Sequence, residues 1–433
     1  MQINRLKITR LFDLFDYDIN FDNQEKLTII TGPNGFGKTM ILNILFSLFN
    51  KRFSFFFKLV FKELEVFLDD NHRIQIIKSL KDKVAEVSLN HFRDGVLLDK
   101  APISNEKEGR KYRDVFENFM PYLKKIADNQ WIDRRSIEQR VLNFDEIIQE
   151  NIHNLPDSII KNIKPKLKEE TFDLINSVKI HLIKEQRLFK LKSTGYNETS
   201  FSNTIEDCAK ELKTLIDNKE KEHSQITSRL DSTFPKRFLE TKKDLSQIEF
   251  NNKFNELKKK QERLEKYGLS ETHQSVSGID DSDQSNLKFL SVYLDDLEDK
   301  LTVFDALLNK IELFTDILNE RRLNFKKIEI DRDKGFVCKN SNGKLLSLQD
   351  LSSGEQHEIV LLYELIFKTN PDTLVLIDEP EISLHIAWQN EFIDDLLKII
   401  KLQNIQAIVA THAPGIINNH GDLKVDLFEQ TKR

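Results

Sequence analysis

The chain has 433 residues, 39% hydrophobic and 31% charged, enough for two or three domains and a large core. Its 65 Lys and Arg against 71 Asp and Glu leave a net charge of −6, which excludes a bulk electrostatic drive toward DNA or an anionic membrane. Cys208 and Cys338 lie far apart without metal-ligand spacing, and no apolar run approaches the ~20 residues of a membrane helix. With no signal-peptide pattern at Met1-Gln2-Ile3-Asn4-Arg5, the reading expects a reducing, cytoplasmic setting and no membrane partner.

In chain order, residues 6–12 and 17–21 alternate apolar and polar, which predicts a hairpin. Leu27-Thr28-Ile29-Ile30-Thr31 is a short β-type run, and an apolar helical pattern follows from Met40 to Phe49. Between them, Gly32-Pro33-Asn34-Gly35-Phe36-Gly37-Lys38-Thr39 fits the G-x-x-x-x-G-K-[ST] phosphate loop in its required strand–helix context. Glycines let backbone N–H groups turn toward phosphates, with Asn34, Gly35 and Gly37 lining the cradle. Lys38 can reach the β/γ oxygens, and the Thr39 hydroxyl can ligate Mg²⁺. The phenylalanines from Phe53 to Phe57, flanked by Lys51, Arg52 and Lys58, read as core. Residues 63–68, 73–77 and 84–89 show period-2 patterns and predict further antiparallel strands.

Residues 104–170 are more polar and charged, and predict an inserted helical subdomain in which Trp131-Ile132-Asp133-Arg134-Arg135 lies on a solvated helix face. Residues 178–183 return as a strand, followed by Lys184-Glu185-Gln186-Arg187-Leu188. From 204 to 322 a sparse apolar seam predicts a short helical, coiled-coil-like arm. Its clearest stripe is Leu287, Leu290, Leu294, Leu297, Leu301, Phe304, Leu308 and Ile311. Residues 287–318 would make one helix of roughly 48 Å, and Ser232-Thr233-Phe234-Pro235 would break an earlier one. A helical bundle packed on the head is the competing reading of the same seam. Residues 328–333, 336–340 and 344–347 read as hairpin strands.

Leu351-Ser352-Ser353-Gly354-Glu355-Gln356 then sets small residues before an apolar helix, a pattern suited to an anion at a helix N-terminus. Thr373-Leu374-Val375-Leu376-Ile377-Asp378-Glu379 reads as a strand buried on both faces that ends in two carboxylates. Residues 405–411 form another buried strand, ending at His412.

Taken together, the phosphate loop, LSSGEQ, LVLIDEPE and Ala410-Thr411-His412 resemble the ABC-type ATPases, within them the SMC-related and OLD-like branch. DEPEISLH with Trp388 is similar to bacterial AAA-15/21-type ATPases, including ATPase subunits of Septu-like and PARIS-like antiphage systems. LSSGEQ departs from the transporter LSGGQ, although Ser352 and Gly354 keep the serine and second-glycine positions.

The resemblance implies an α/β ABC ATPase head, with a P-loop parallel core sheet, an antiparallel β lobe, helical insertions and a short arm. Its segments would be 1–103 (N-terminal lobe with Walker A), 104–170 (helical insertion), 171–203 (Q-loop), 204–322 (arm) and 323–433 (C-terminal lobe). The cofactors implied are ATP and Mg²⁺. Metal contacts fall to Thr39, Asp378 (through water) and Gln186; Gln75 competes with Gln186 for the Q-loop role. Glu379 is the expected general base and His412 the γ-phosphate switch, while Glu381 is a weaker candidate. Ser352, Ser353 and Gly354 would cap ATP held by a second head, and Ser383 and His385 fall in the D-loop. Arg10, Phe12 and Phe15 are weaker candidates for the adenine side.

The implied assembly is a homodimer or larger homo-oligomer bridged by ATP. A separate nuclease effector is expected, since no TOPRIM nuclease is anticipated after His412. The alternative is a recombination-type repair ATPase that binds DNA directly. It would use a basic surface around Lys184, Arg187, Lys190 and Lys192, or around Arg321, Arg322, Lys326 and Lys327. An ATP-controlled scaffold with little turnover is a third reading.

Overall fold

The computed structural model describes residues 1–21, 24–81, 84–103, 120, 122–127, 130–134, 141–142, 147, 167–184, 189–193, 199–241, 246–269 and 287–431. The chain divides into two compact units. One is Met1–Ser202 with Lys368–Arg433; the other is Asn203–Phe367.

The first unit is built on two sheets. Strands β1 (Ile3–Leu11), β2 (Phe15–Asn20), β4 (Glu63–Leu68), β5 (His72–Lys81), β6 (Val84–Arg93) and β7 (Val96–Ile103) form an antiparallel sheet in the order β2-β1-β4-β5-β6-β7. In β4, Leu64, Val66 and Leu68 are buried and alternate with half-exposed residues, as a strand with one face on a core requires. The second sheet is parallel, in the order Lys179–Ile183, Thr373–Asp378, Gln406–Ala410, β3 (Leu27–Thr31), Lys424–Asp426. Every residue of Thr373–Asp378, Gln406–Ala410 and β3 is buried, which explains their unbroken apolar runs.

Helix α1 (Lys38–Phe49) contributes Ile41, Leu42, Ile44, Leu45 and Leu48 to a core shared by both sheets. Phe53 and Phe56 enter the same core. The Gln406 amide ties the sheets together: it accepts from Ile3 N at 3.0 Å and donates to Ile3 O at 2.8 Å. The helix Glu169–Ser177, which leads into the parallel sheet, is held by Thr171 Oγ1, 3.0 Å from His91 Nδ1. Burial pushes the His91 imidazole below its ordinary pKa, with the neighbouring His72 adding to the shift.

Register decides what the parallel sheet delivers. Ile183 pairs with Ile377, Asp378 with Ala410, and Ala410 with Ile30. Four strands therefore finish along one edge, from which the phosphate loop, Glu379 and His412 continue.

The second unit is mainly helical: Thr204–Glu240, Gln247–Lys266, Leu287–Thr302, Asp305–Ile317 and Ser353–Phe367. The hairpin Lys326–Asp331/Gly335–Asn340 packs against the first helix. Gly335 (φ 82°) makes that contact possible, because a Cβ there would stand 1.9 Å from Ala209 O. Phe314, Phe336, Tyr363 and Phe367 form an aromatic cluster with centroid separations from 4.9 to 6.4 Å. Cys208 and Cys338 are both buried in this unit and not disulfide-bonded.

Three local expectations need correction. Pro235 lies inside the continuous helix Thr204–Glu240 and does not break it. Side chains near it bond the preceding turn: Ser232 and Thr233 donate to Arg229 O, and Arg237 donates to Leu230 O at 2.7 Å. The stripe from Leu287 is two helices, interrupted at Val303-Phe304, and the first packs on both preceding helices as in a bundle. Within 104–170, Leu123–Ala127, Gln130–Asp133 and Val141–Leu142 are strands of a small sheet, with Trp131 fully buried. That tryptophan belongs to a strand rather than to a solvated helix face.

Candidate functional site at the ends of the parallel strands

Gly37 precedes α1 in the left-handed region (φ 84°), and among the described residues no side chain caps this helix. A Cβ at Gly37 would come 3.2 Å from Leu11 Cδ2 and 3.4 Å from Phe12 Cε2, so the β1–β2 turn backs the loop closely. Aromatic packing braces it further: the Phe36 ring lies 5.3 Å from Phe15 and 5.7 Å from Phe428. Tyr17 donates its hydroxyl to Phe36 O at 2.8 Å, and burial raises its phenol well above the ordinary value. Phe12 and Phe15 thus support the loop from behind. Arg10 is exposed and donates its backbone N–H to Asp16 Oδ1 at 2.7 Å.

Lys38 is only 5% exposed, and its ammonium donates to Gly32 O at 2.9 Å. A buried ammonium facing a carbonyl is still short of negative charge, so the position is suited to an anion. Thr39 Oγ1 donates to Asp378 Oδ1 at 3.1 Å, joining the first turn of α1 to a strand 339 residues away. Asp378 is 8% exposed. Thr39 and Asp378 bring together oxygen donors of the kind Mg²⁺ takes.

Glu379 follows with φ 42° and ψ 61°, a left-handed conformation unusual for a residue other than glycine. Its N–H donates to Ala410 O at 2.8 Å, and Pro380 follows directly. Strained backbone of this kind costs about 1–3 kcal/mol and collects at functional sites. On the neighbouring strand end, His412 Nδ1 lies 3.6 Å from Glu379 Oε1 and 3.0 Å from Glu381 Oε1. Glu381 is 7% exposed, and its Oε1 also accepts from Thr411 Oγ1 at 2.7 Å and His412 N at 3.0 Å. Glu381, the less certain candidate in the sequence, thus accepts two hydrogen bonds at one oxygen. Only the third acidic residue of DEPE hinted at it.

Beyond it, His385 caps the short helix Ile386–Gln389, accepting from Ala387 N at 3.3 Å, with its ring 5.9 Å from that of Trp388. Gln186 lies outside the described residues, as does the side chain of Ser383. The competitor Gln75 is engaged within the antiparallel sheet: it donates to Glu63 and accepts from Asn90 at 2.8 Å.

In the second unit, Ser352 and Glu355 form a capping box on the helix Ser353–Phe367. Ser352 N and Oγ both donate to Glu355 Oε2, at 2.8 and 2.9 Å. Lys326 Nζ holds the same carboxylate at 2.8–2.9 Å. Ser353 is exposed and Gly354 partly exposed at this helix start. Burial alone would raise the Glu355 carboxyl, but the bonds from Lys326 and Ser352 outweigh it and hold the group below its ordinary value. Of the basic residues considered for DNA, Arg322 is buried 3.5 Å from Glu358 and Lys326 is committed to Glu355. Arg187 and the side chains of Lys190 and Lys192 lie outside the described residues.

A family model described as an AAA ATPase domain, AAA_15, matches residues 1–417. Protein ea59 of Escherichia phage lambda is 32% identical over 98 residues, 23% of this chain. The retron Ec83 probable ATPase of Escherichia coli is 32% identical over 103 residues, 21% of this chain. The matched stretches span only 18% and 19% of those two relatives. Among solved structures, the Smc head domain with an extended coiled coil bound to the C-terminal domain of ScpA, from Pyrococcus furiosus, aligns at 14% identity and TM-score 0.36. That alignment covers 96% of this chain and 90% of the other. The SMC head domain from Thermotoga maritima aligns at 11% identity and TM-score 0.33, covering 96% and 91%.

Proposed function

This chain belongs to the AAA_15 family of AAA ATPase domains and is an ATPase; from that premise we propose that it hydrolyses ATP between two copies of itself. The carrying observation is the Thr39–Asp378 bond, with Glu379 and His412 on adjoining strand ends. Lys38 and the loop amides around Asn34, Gly35 and Gly37 bind the β/γ-phosphates. Thr39 would ligate Mg²⁺ and Asp378 hold it through water, with Gln186 as a further ligand. When bound, the ion supplies neutralisation of phosphate charge. Glu379 accepts a proton from the attacking water, and His412 senses the γ-phosphate. Ser352, Ser353 and Gly354 of a second copy cap the nucleotide, with Ser383 and His385 crossing the junction. The dimer prediction is tested by light scattering of Glu379→Gln. We expect a dimer with ATP and a monomer with ADP; a monomer under both conditions overturns it.

The biological setting we propose is antiphage defence, with the ATPase gating a separate nuclease. The DEPEISLH resemblance and the likeness to the retron Ec83 probable ATPase support this reading. A neighbouring gene for a nuclease whose product co-purifies with this chain is the expected result. Tight, salt-resistant DNA binding by the chain alone would favour the repair reading instead, because phosphate contacts weaken steeply with salt.

A further inference from the structure

His412 stands between two carboxylates. Its Nδ1 lies 3.0 Å from Glu381 Oε1 and 3.6 Å from Glu379 Oε1. Glu381 holds the nearer place because its backbone and side chain are fixed from several directions. Thr411 Oγ1 and His412 N donate to the same Oε1, and Gln389 Nε2 donates to Glu381 O at 3.3 Å. Its second oxygen, Oε2, is buried and has no hydrogen-bond partner among the described residues. Leaving a buried carboxylate oxygen unpaired is costly, and bracing a loop alone does not require it: a glutamine could accept the same bonds at Oε1.

We propose that Glu381 is a positioning residue that competes with Glu379 for His412. With Nδ1 held 3.0 Å from Glu381 Oε1, the imidazole presents Nε2 to a ligand, and the Glu379 carboxylate stays open to the attacking water. Without Glu381, His412 needs to move only a few tenths of an ångström to donate to Glu379. A Glu379 carboxylate paired with His412 is screened from the attacking water, which loses its acceptor. A carboxylate at position 381 holds the imidazole more strongly than a neutral amide there would. The inference rests on the reading of Glu379 as the base.

The test is a double-mutant cycle on ATP hydrolysis, with Glu381→Ala and Glu381→Gln each made with His412 present and in a His412→Ala background. Single-turnover hydrolysis followed over hours keeps slow variants measurable. With His412 present, Glu381→Ala should lower kcat about 10- to 100-fold, as small misplacements in active sites do. Glu381→Gln, which keeps the bonds from Thr411 and His412 N, should lower it roughly threefold to tenfold. In the His412→Ala background both losses should shrink to less than about threefold, and KM for ATP should stay nearly constant throughout. Equal fold-losses in both backgrounds, or a raised KM at unchanged kcat, would show a merely structural Glu381 and overturn the proposal. Should the alanine variant not fold, the glutamine pair decides alone. Glu379→Gln serves as the control. If it turns over at the wild-type rate, the reading of the base fails; if it is inactive while the Glu381 effects are additive, only the inference fails.

Discussion

Helix α1 and the helix Ser353–Phe367 both begin after small residues, yet their first turns are satisfied differently. At α1 the preceding residue is Gly37, which brings no side-chain acceptor, and Lys38 rests on a backbone carbonyl. At the other helix, Ser352 N and Oγ already donate to the chain's own Glu355, which Lys326 neutralises. Both ends attract negative charge by their backbone dipoles. One is arranged to receive an outside phosphate directly. The other already holds a carboxylate, so a phosphate arriving there has to displace or share it. The comparison separates an open helix start from one already capped by the chain's own carboxylate.

The largest effects should come from breaking the first of these. Lys38→Ala removes the only buried cation of the loop and should abolish ATP binding, measured by equilibrium dialysis. Glu379→Gln keeps the loop intact, so it should bind ATP but hydrolyse it roughly 10²–10⁴-fold more slowly. Wild-type turnover by the glutamine variant would remove Glu379 from the role of base.

Next in size is the signature serine. Ser352→Arg should leave nucleotide binding by each copy nearly intact while blocking ATP-dependent association and hydrolysis. Mixing Ser352→Arg with Lys38→Ala subunits should restore one composite site per dimer, with an intact loop from one copy and an intact signature from the other. Some activity returns if subunits exchange. No recovery in demonstrably mixed dimers argues against a shared site, or means that the two sites fire only together. Replacing Lys38→Ala by Glu379→Gln separates those outcomes, because that subunit still binds ATP.

How far such sites can be read from sequence depends on whether the signal is local. The phosphate loop is continuous, and its glycines carry their conformational reason with them: Gly37 sits at φ 84° against Leu11 and Phe12. Buried parallel strands are equally local, since 27–31 and 373–378 are apolar runs of strand length. Glu381 was not legible, because its partners Thr411 and His412 are thirty and thirty-one residues away and meet it only through sheet pairing. The break at Val303-Phe304 carries no Gly or Pro, and the Phe304 ring packs 5.3 Å from His223 instead. Pro235 misled in the opposite direction, and neighbouring Ser232, Thr233 and Arg237 bond carbonyls of the preceding turn. Charge across residues 104–170 suggested a helical insertion with 131–135 on a solvated face, but burial of Trp131 favours a strand there.

The smallest effect belongs to Glu355 and sharpens the contrast between the two helix starts. Its carboxyl is held below the ordinary value because the bonds from Lys326 and Ser352 outweigh burial. A group whose pKa is lower in the folded chain stabilises the fold at pH above its unfolded value, about 4.3. That contribution is lost as pH falls through the folded value. Glu355→Gln can still cap Ser352 but cannot pair with Lys326 as an ion, so it should cost roughly 0.5–1 kcal/mol at neutral pH. Thermal melts should show a gap between wild type and variant at pH 7 that shrinks as pH falls below the unfolded value and through the folded one. A gap that widens in acid would mean that the depressed carboxyl is not the source. The same substitution removes negative charge from the place where a second copy's phosphate would arrive and leaves the Lys326 ammonium beside it. ATP-dependent association, measured in the Glu379→Gln background, should therefore tighten by roughly twofold to tenfold. Weaker association would show that Glu355 organises Ser352 for the phosphate rather than competing with it, and the two helix starts would then be alike in purpose.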